Sequence, residues 1–157
     1  MKFIHTADLH LGKNVNGFSM TEDQAFILKQ MTSVIRESCV DAVMIAGDVY
    51  DRSVPSEDAV LLFEEFLESL SSLNVHVFII SGNHDSAVRI AFGSRLMKKS
   101  GIHFAPPFNA KIEPFVLKDS FGDVNIYMLP FVKPSSVRPF FPESKISSYT
   151  DALSLCI

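Results

Sequence analysis

A chain of 157 residues with 47% hydrophobic composition has room for one globular domain with a real core and none for two. Its net charge of −4 excludes a long phosphate-tracking groove built on clustered Lys and Arg, so any contact with nucleic acid is local or supplied elsewhere. Cys39 and Cys156 stand far apart in no metal or redox spacing and read as free thiols of a reducing compartment, hence the cytoplasm.

The first expected element is a strand over KFIHTA; the charged MKFIHTADLHL start has no signal-peptide core, and no later stretch approaches a membrane span. A helix over about residues 22 to 38 follows, with Thr21 and Gln24 at capping-box spacing and Ile27, Met31 and Ile35 on one face. AVMIAG is the second strand. A second helix, about 57 to 73, follows Pro55 and Ser56, carries acids in its first turn and repeats Ala59, Phe63, Phe66, Leu70 and Leu73. VHVFIISG is the third strand, and a third helix, about 86 to 100, stops on Lys98, Lys99 and Gly101. Alternation of this kind predicts an α/β fold with a parallel βαβ core covered on both faces. Beyond Gly101, two β-rich runs joined at SFGD predict an antiparallel hairpin, KPSSVRPFFPESK a loop, and SSYTDALSLCI the start of a helix through Tyr149, Leu153 and Cys156.

Chemistry gathers at the strand ends. In open α/β sheets ligands bind beyond the carboxyl tips of the strands, and there the sequence places Asp8 and His10, then Asp48, then Asn83 and His84. Gly47 and Gly82 allow sharp turns beside them. Carboxylate, imidazole and amide oxygen form a mixed set suited to Mn²⁺, Fe²⁺ or Zn²⁺ at high coordination rather than to structural zinc, which favours thiolates. A central Asp48 could bridge two ions about 4 Å apart, the paired clamp used on phosphate esters, so the expected reaction is phosphoester hydrolysis. Each motif alone is weak, since capping aspartates and core histidines are common; the three in order, each at a strand end, are specific.

DLH, GDVYD and GNHD resemble the motifs of the calcineurin-like metallophosphoesterases, and the flanking residues resemble those of their bacterial DNA-nuclease branch, from residue 1 to roughly 150. The resemblance implies the sandwich of that family, with Asp8, His10 and Asp48 on a first metal and Asp48 and Asn83 on a second. Mn²⁺ is the expected ion. His84 would face the phosphate and protonate the leaving oxygen, and Asp51 would pair with His84 to orient it; the alternative for Asp51 is a turn or capping aspartate. The branch implies DNA as substrate, 3′ to 5′ exonuclease and structure-specific endonuclease action, a partner ATPase and a homodimer, for which Leu62, Phe92 and Leu96 are the candidate contacts.

The family completes its pair of metals with three later histidines, and none follows His103 here. The expectation is that residues 1–157 are the N-terminal portion of a nuclease domain, without its C-terminal half or capping domain, and inactive alone. Two alternatives remain open: a phosphomonoesterase or cyclic-nucleotide phosphodiesterase of the same fold, although GDVYDRS lacks the glycine that follows Asp-Arg in protein phosphatases, or a non-catalytic dimerisation or docking module. The remaining polar and aromatic residues have plainer readings. His5 is a hydrogen-bonded structural histidine, His76 and His103 are ordinary, Arg52 and Arg89 are salt-bridged or solvated, and Phe140 and Phe141 pack back on the core.

Overall fold

The computed structural model describes residues 1–157. In chain order the elements are β1 (Phe3–Thr6), β2 (Asn14–Val15), β3 (Phe18–Ser19), α1 (Thr21–Ser38), β4 (Ala42–Ala46), α2 (Glu57–Ser71), β5 (His76–Ile80), α3 (Ala87–Ile90), α4 (Ser94–Met97), β6 (Ile102–Phe104), β7 (Phe115–Asp119), β8 (Gly122–Ile126), α5 (Pro134–Val137) and α6 (Tyr149–Cys156). Strands β1, β4, β5 and β6 form one parallel sheet in the order β1-β4-β5-β6. The registers Phe3↔Ala42, Ala42↔His76 and Val77↔Ile102 bring all their carboxyl ends to one edge.

The two central strands are apolar on both faces because both faces are covered. On one side α1 and α2 enclose a core of 20 buried residues that includes Val43, Ile45, Val77 and Ile79 from the sheet. From α2 come Ala59, Leu62, Phe63, Phe66, Leu67 and Leu70, the spacing of a single helical stripe. Ser56 caps that helix by accepting a hydrogen bond from the Ala59 N–H, and each buried Phe or Leu contributes roughly 1.5–3 kcal/mol. On the other side the β7–β8 hairpin lays Leu117 and Ile126 against Ala42 and Phe78. No helix is long and apolar enough to cross a membrane.

Several details depart from the pattern-based expectation. In α1, Ile35 is buried and Met31 packs against the core as expected, but Ile27 is exposed and Leu28 and Thr32 are buried instead, so the stripe is shifted at the start of the helix. The third helix is broken: α3 ends at Ile90, Gly93 turns with φ of +73°, and α4 is followed by a single 3-10 turn over Lys98–Ser100. A left-handed glycine ends one helix and cannot continue it. Asn16 and Gly17, with φ of +51° and +85°, close the small β2–β3 hairpin, the backbone that a two-residue turn between antiparallel strands prefers. The proline-rich segment is not all loop, since Pro134–Val137 and Arg138–Phe140 each make one helical turn. Leu62 is buried in the core and is withdrawn from any dimer surface, whereas Phe92 and Leu96 are exposed.

Candidate metal centre

Past the sheet edge, the tips of β1 and β4 stay laced together. Asp8 N–H donates to Gly47 O (3.1 Å), His10 N–H to Asp48 O (2.9 Å), Leu11 N–H to Val49 O (2.9 Å) and Asp51 N–H to Leu11 O (3.1 Å). These bonds fix the DLH loop against the GDVYD loop. Asp8, His10 and Asp48 all have left-handed backbones, with φ of 59°, 45° and 48°. Such conformations cost on the order of 1 kcal/mol or more per non-glycine residue and persist where the surroundings enforce them.

The tips of β4 and β5 meet through two glycines. A Cβ built on Gly47 would lie 2.8 Å from Gly82 Cα, and one built on Gly82 would fall on the Asp48 carboxylate and main-chain nitrogen. Glycine is therefore required for Asp48 to lie across the third tip. Asp85 binds the same junction: its carboxylate accepts from Gly82 N–H (2.9 Å), Val49 N–H (3.1 Å) and Tyr50 N–H (3.0 Å). Burial, reinforced by the charge of Asp85, pushes the Tyr50 hydroxyl up to about 12. Gln24 clamps the first loop, accepting from Gly12 N–H (3.0 Å) and donating to His10 O (2.7 Å) and Leu9 O (3.2 Å). That is a different task from the capping box expected of it, and the N-terminus of α1 has no side-chain cap.

The side chains converge. One ligand atom from each of Asp8, His10 and Asp48 lies within 4.8 Å of the others, and the same holds for His10, Asp51 and His84. His10 belongs to both groups; its Nε2 is 3.6 Å from Asp8 Oδ1 and its Nδ1 is 3.6 Å from Asp51 Oδ1. The His10 and His84 rings meet edge to face with centroids 4.8 Å apart. Asp48 is 8% exposed, accepts the His84 N–H at 2.9 Å and has no basic side chain paired with it. A carboxylate so buried calls for compensating positive charge. With a second carboxylate and an imidazole beside it, the donor set fits a divalent cation.

His84 itself is exposed, and its Nδ1 lies 2.9 Å from the main-chain oxygen of Asp51. A carbonyl only accepts, so Nδ1 carries the hydrogen and Nε2 is the free nitrogen. Asp51 thus reaches His84 through its backbone, while its carboxylate turns toward His10. Asn83 is exposed on the same loop.

The plainer readings divide. Arg89 donates to Ser53 O (2.7 Å) and braces the loop after β4, and Arg52 stands 3.9 Å from Asp51 at the surface. The side chain of His5 is exposed and makes no hydrogen bond, contrary to expectation, because it sits on the edge strand. His76 and His103 are paired under the hairpin at 3.3 Å, stacked on Phe78 and tilted against Phe115. Phe141 packs on a small core with Val132 and Val137, whereas Phe140 is 44% exposed. The bracing roles of Gln24 and Asp85 escaped the sequence reading. Asp85 directly follows Gly82-Asn83-His84, the one signal that could have found it.

With a parallel sheet whose three tips gather this donor set, the protein class is defined. The chain belongs to the calcineurin-like phosphoesterases, whose sequence pattern matches residues 1–148, a family that works with divalent metal ions. It is similar to the SbcD component of the SbcCD nuclease of Staphylococcus saprophyticus, 36% identical over 155 residues that cover 98% of this chain and 40% of the relative. The protein of the same name from Staphylococcus epidermidis is 37% identical over 158 residues, covering 100% of this chain and 41% of the relative. The chain therefore spans about 40% of the length of these curated relatives.

Proposed function

We propose that this chain supplies metal-binding and proton-transfer residues for the hydrolysis of DNA phosphodiesters, as part of an SbcD-type nuclease that works with an SbcC-type ATPase as a 3′ to 5′ exonuclease and structure-specific endonuclease. The observation that carries this reading is the buried, uncompensated Asp48 beside Asp8 and His10 at the edge where three strand tips meet. In this reading Asp8, His10 and Asp48 hold a first ion, and Asp48 with Asn83 a second. Divalent ions, Mn²⁺ in the preferred assignment, contribute the positive charge that stabilises a phosphoryl transition state.

The protein's own part lies with His84. Its Nδ1–H is spent on Asp51 O, which fixes the ring and leaves Nε2 to take up a proton and deliver it to the departing 3′ oxygen. General acid help of this kind is worth about 10² to 10⁴ in rate. Exposed Phe92 and Leu96 around α4 support a homodimer through this side of the molecule. The free thiols Cys39 and Cys156 support a cytoplasmic location.

The test is a Mn²⁺-dependent cleavage assay on linear duplex DNA, with a single-stranded control, in the whole protein. Cleavage that disappears in Asp48→Asn and His84→Ala is expected. Hydrolysis of phosphomonoesters or cyclic nucleotides with intact DNA would favour the phosphatase alternative, and no hydrolysis with retained binding of the ATPase a docking module. The 157-residue chain by itself should bind one ion and leave DNA intact, because Asp48 and the neutral Asn83 compensate little of a second ion's charge. Loss of one ion of a pair costs several kcal/mol of transition-state stabilisation, or on the order of a thousandfold. Mn²⁺-dependent cleavage by that chain, abolished in His84→Ala, would show it to be competent.

A further inference from the structure

We propose that Asp51 serves His10 rather than His84: its carboxylate receives the His10 Nδ1–H and thereby fixes the imidazole edge that meets the cation. The inference rests on the metal-binding reading above and adds to it a positioning residue. His84 has no need of the Asp51 carboxylate, since its Nδ1–H is already given to the main-chain oxygen of Asp51 at 2.9 Å. His10 does have that need. Its Nδ1 is a buried side-chain nitrogen without a hydrogen-bond partner, in a protein whose other buried polar side-chain atoms are satisfied, and polar groups so buried are nearly always bonded.

The nearest carboxylate to that nitrogen is Asp51 Oδ1 at 3.6 Å, about half an ångström beyond hydrogen-bond range. The Asp51 carboxylate is itself mostly buried and uncommitted; its only other ionic neighbour is Arg52, 3.9 Å away with a side chain 77% exposed, a pair that solvent screens. The opposite nitrogen, Nε2, faces Asp8 Oδ1 at 3.6 Å, close to the separation of roughly 3 to 3.5 Å that two ligands of one ion adopt. His10 is thus held between one carboxylate that would share its cation and another that would accept its proton. A ligating histidine typically donates its second N–H in this way, which fixes the tautomer, holds the ring and raises its basicity. The backbone supports the arrangement: Asp51 N–H donates to Leu11 O and His10 N–H to Asp48 O, so the two loops that carry the pair move as one.

The experiment is a Mn²⁺ titration by calorimetry of the 157-residue chain and its variants, each first melted without metal to establish that it folds. Asp51→Ala should weaken affinity by about 10- to 100-fold, and Asp51→Asn, which keeps an acceptor oxygen, should fall between it and the wild type. His84→Ala should leave affinity unchanged, and Asp8→Asn should lower it. A second readout is independent of metal: the His10 Nδ1 proton should give a ring ¹H–¹⁵N correlation in the metal-free chain that is lost in Asp51→Ala. Unchanged affinity in Asp51→Ala with loss in Asp8→Asn would overturn the role of Asp51 and leave the metal centre standing. No loss in Asp8→Asn would overturn both. Equal losses in Asp51→Ala and His84→Ala would also overturn it, since the cation would then be held directly by His10, Asp51 and His84.

Discussion

Gly82→Ala tests whether the approach of two strand tips, and not merely the presence of the right side chains, makes the site. A Cβ on Gly82 would fall on the Asp48 carboxylate and main-chain nitrogen, at a point where Gly47 also comes so close that a Cβ on it would lie 2.8 Å from Gly82 Cα. The obstacle is backbone as well as side chain, so one rotamer change does not relieve it. Overpacking of this kind costs about 1–3 kcal/mol, and in a domain of this size each kcal/mol lowers the melting temperature by about 2–4 °C. The expected loss is therefore roughly 2–12 °C, accompanied by a weaker Mn²⁺ titration because Asp48 is displaced. Gly17→Ala is the control. Gly17 has φ of +85° but nothing within 4 Å of the added atom, so it carries only the penalty of a left-handed alanine, about 1 kcal/mol, and metal binding should be untouched. Thermal melts and calorimetric titrations on the two variants measure both effects. If Gly82→Ala melts and binds Mn²⁺ like the wild type, the reasoning that places Asp48 across the third strand tip is refuted.

Gln24→Ala should cost about 1–3 kcal/mol in urea denaturation, since the Gly12 N–H and the Leu9 carbonyl lose the partner Gln24 gives them and the His10 carbonyl keeps only the Lys13 N–H, and it should weaken Mn²⁺ binding by loosening the loop that holds Asp8 and His10. A second expectation concerns pH. Burial first, then the charges of His76 and Lys98, push His103 down to about 4 from its ordinary 6.5. The folded state therefore binds this proton less readily than the unfolded state, so the stability contribution is complete above about pH 6.5 and is lost as pH falls toward 4. Discounted for solvent screening, the loss is about 1–2 kcal/mol between pH 7 and pH 4. Urea midpoints across that range should show it in the wild type, and His103→Gln should flatten it.

The fold was legible where hydrophobic period and burial agree. The Val43, Ile45, Val77 and Ile79 positions read as buried strand because both faces are covered, and the α2 stripe read as helix because every third or fourth residue meets the core. Legibility failed where the outcome turns on a single backbone angle or on a distant partner. The segment after His84 has helical composition throughout, but Gly93 adopts a left-handed turn and breaks it. Gln24 stands at capping-box spacing, but the Leu9–Gly12 loop offers it three hydrogen bonds that a cap does not. At the site, the convergence of Asp8, His10 and Asp48 follows from a rule about strand tips, and the structure gathers them as that rule requires. The direction of the Asp51 carboxylate was not legible, because it depends on how the GDVYD loop is bonded to Leu11 and no local pattern encodes that.

The distribution of strain explains why these braces exist. Seven non-glycine residues have positive φ, and three of them are Asp8, His10 and Asp48. A sheet of this type could turn its chain with glycines at those positions at less cost, but glycine carries no ligand. The side chains needed at the centre thus exclude the residue that would suit the backbone. The conformational penalty is offset locally, by the inter-loop hydrogen bonds of Asp8 and His10, by three acceptor bonds at Asp85 and by the Gln24 clamp, and globally by the core beneath the sheet. Neither Gln24 nor Asp85 has to touch a metal or a phosphate to matter, because each supplies bonding that keeps the backbone of a proposed ligand in a conformation it would otherwise leave. The two loops that share His10 and Asp51 are held by this same set of bonds, which ties the proposed ligand positions to one another rather than leaving them as side chains placed independently at three strand ends.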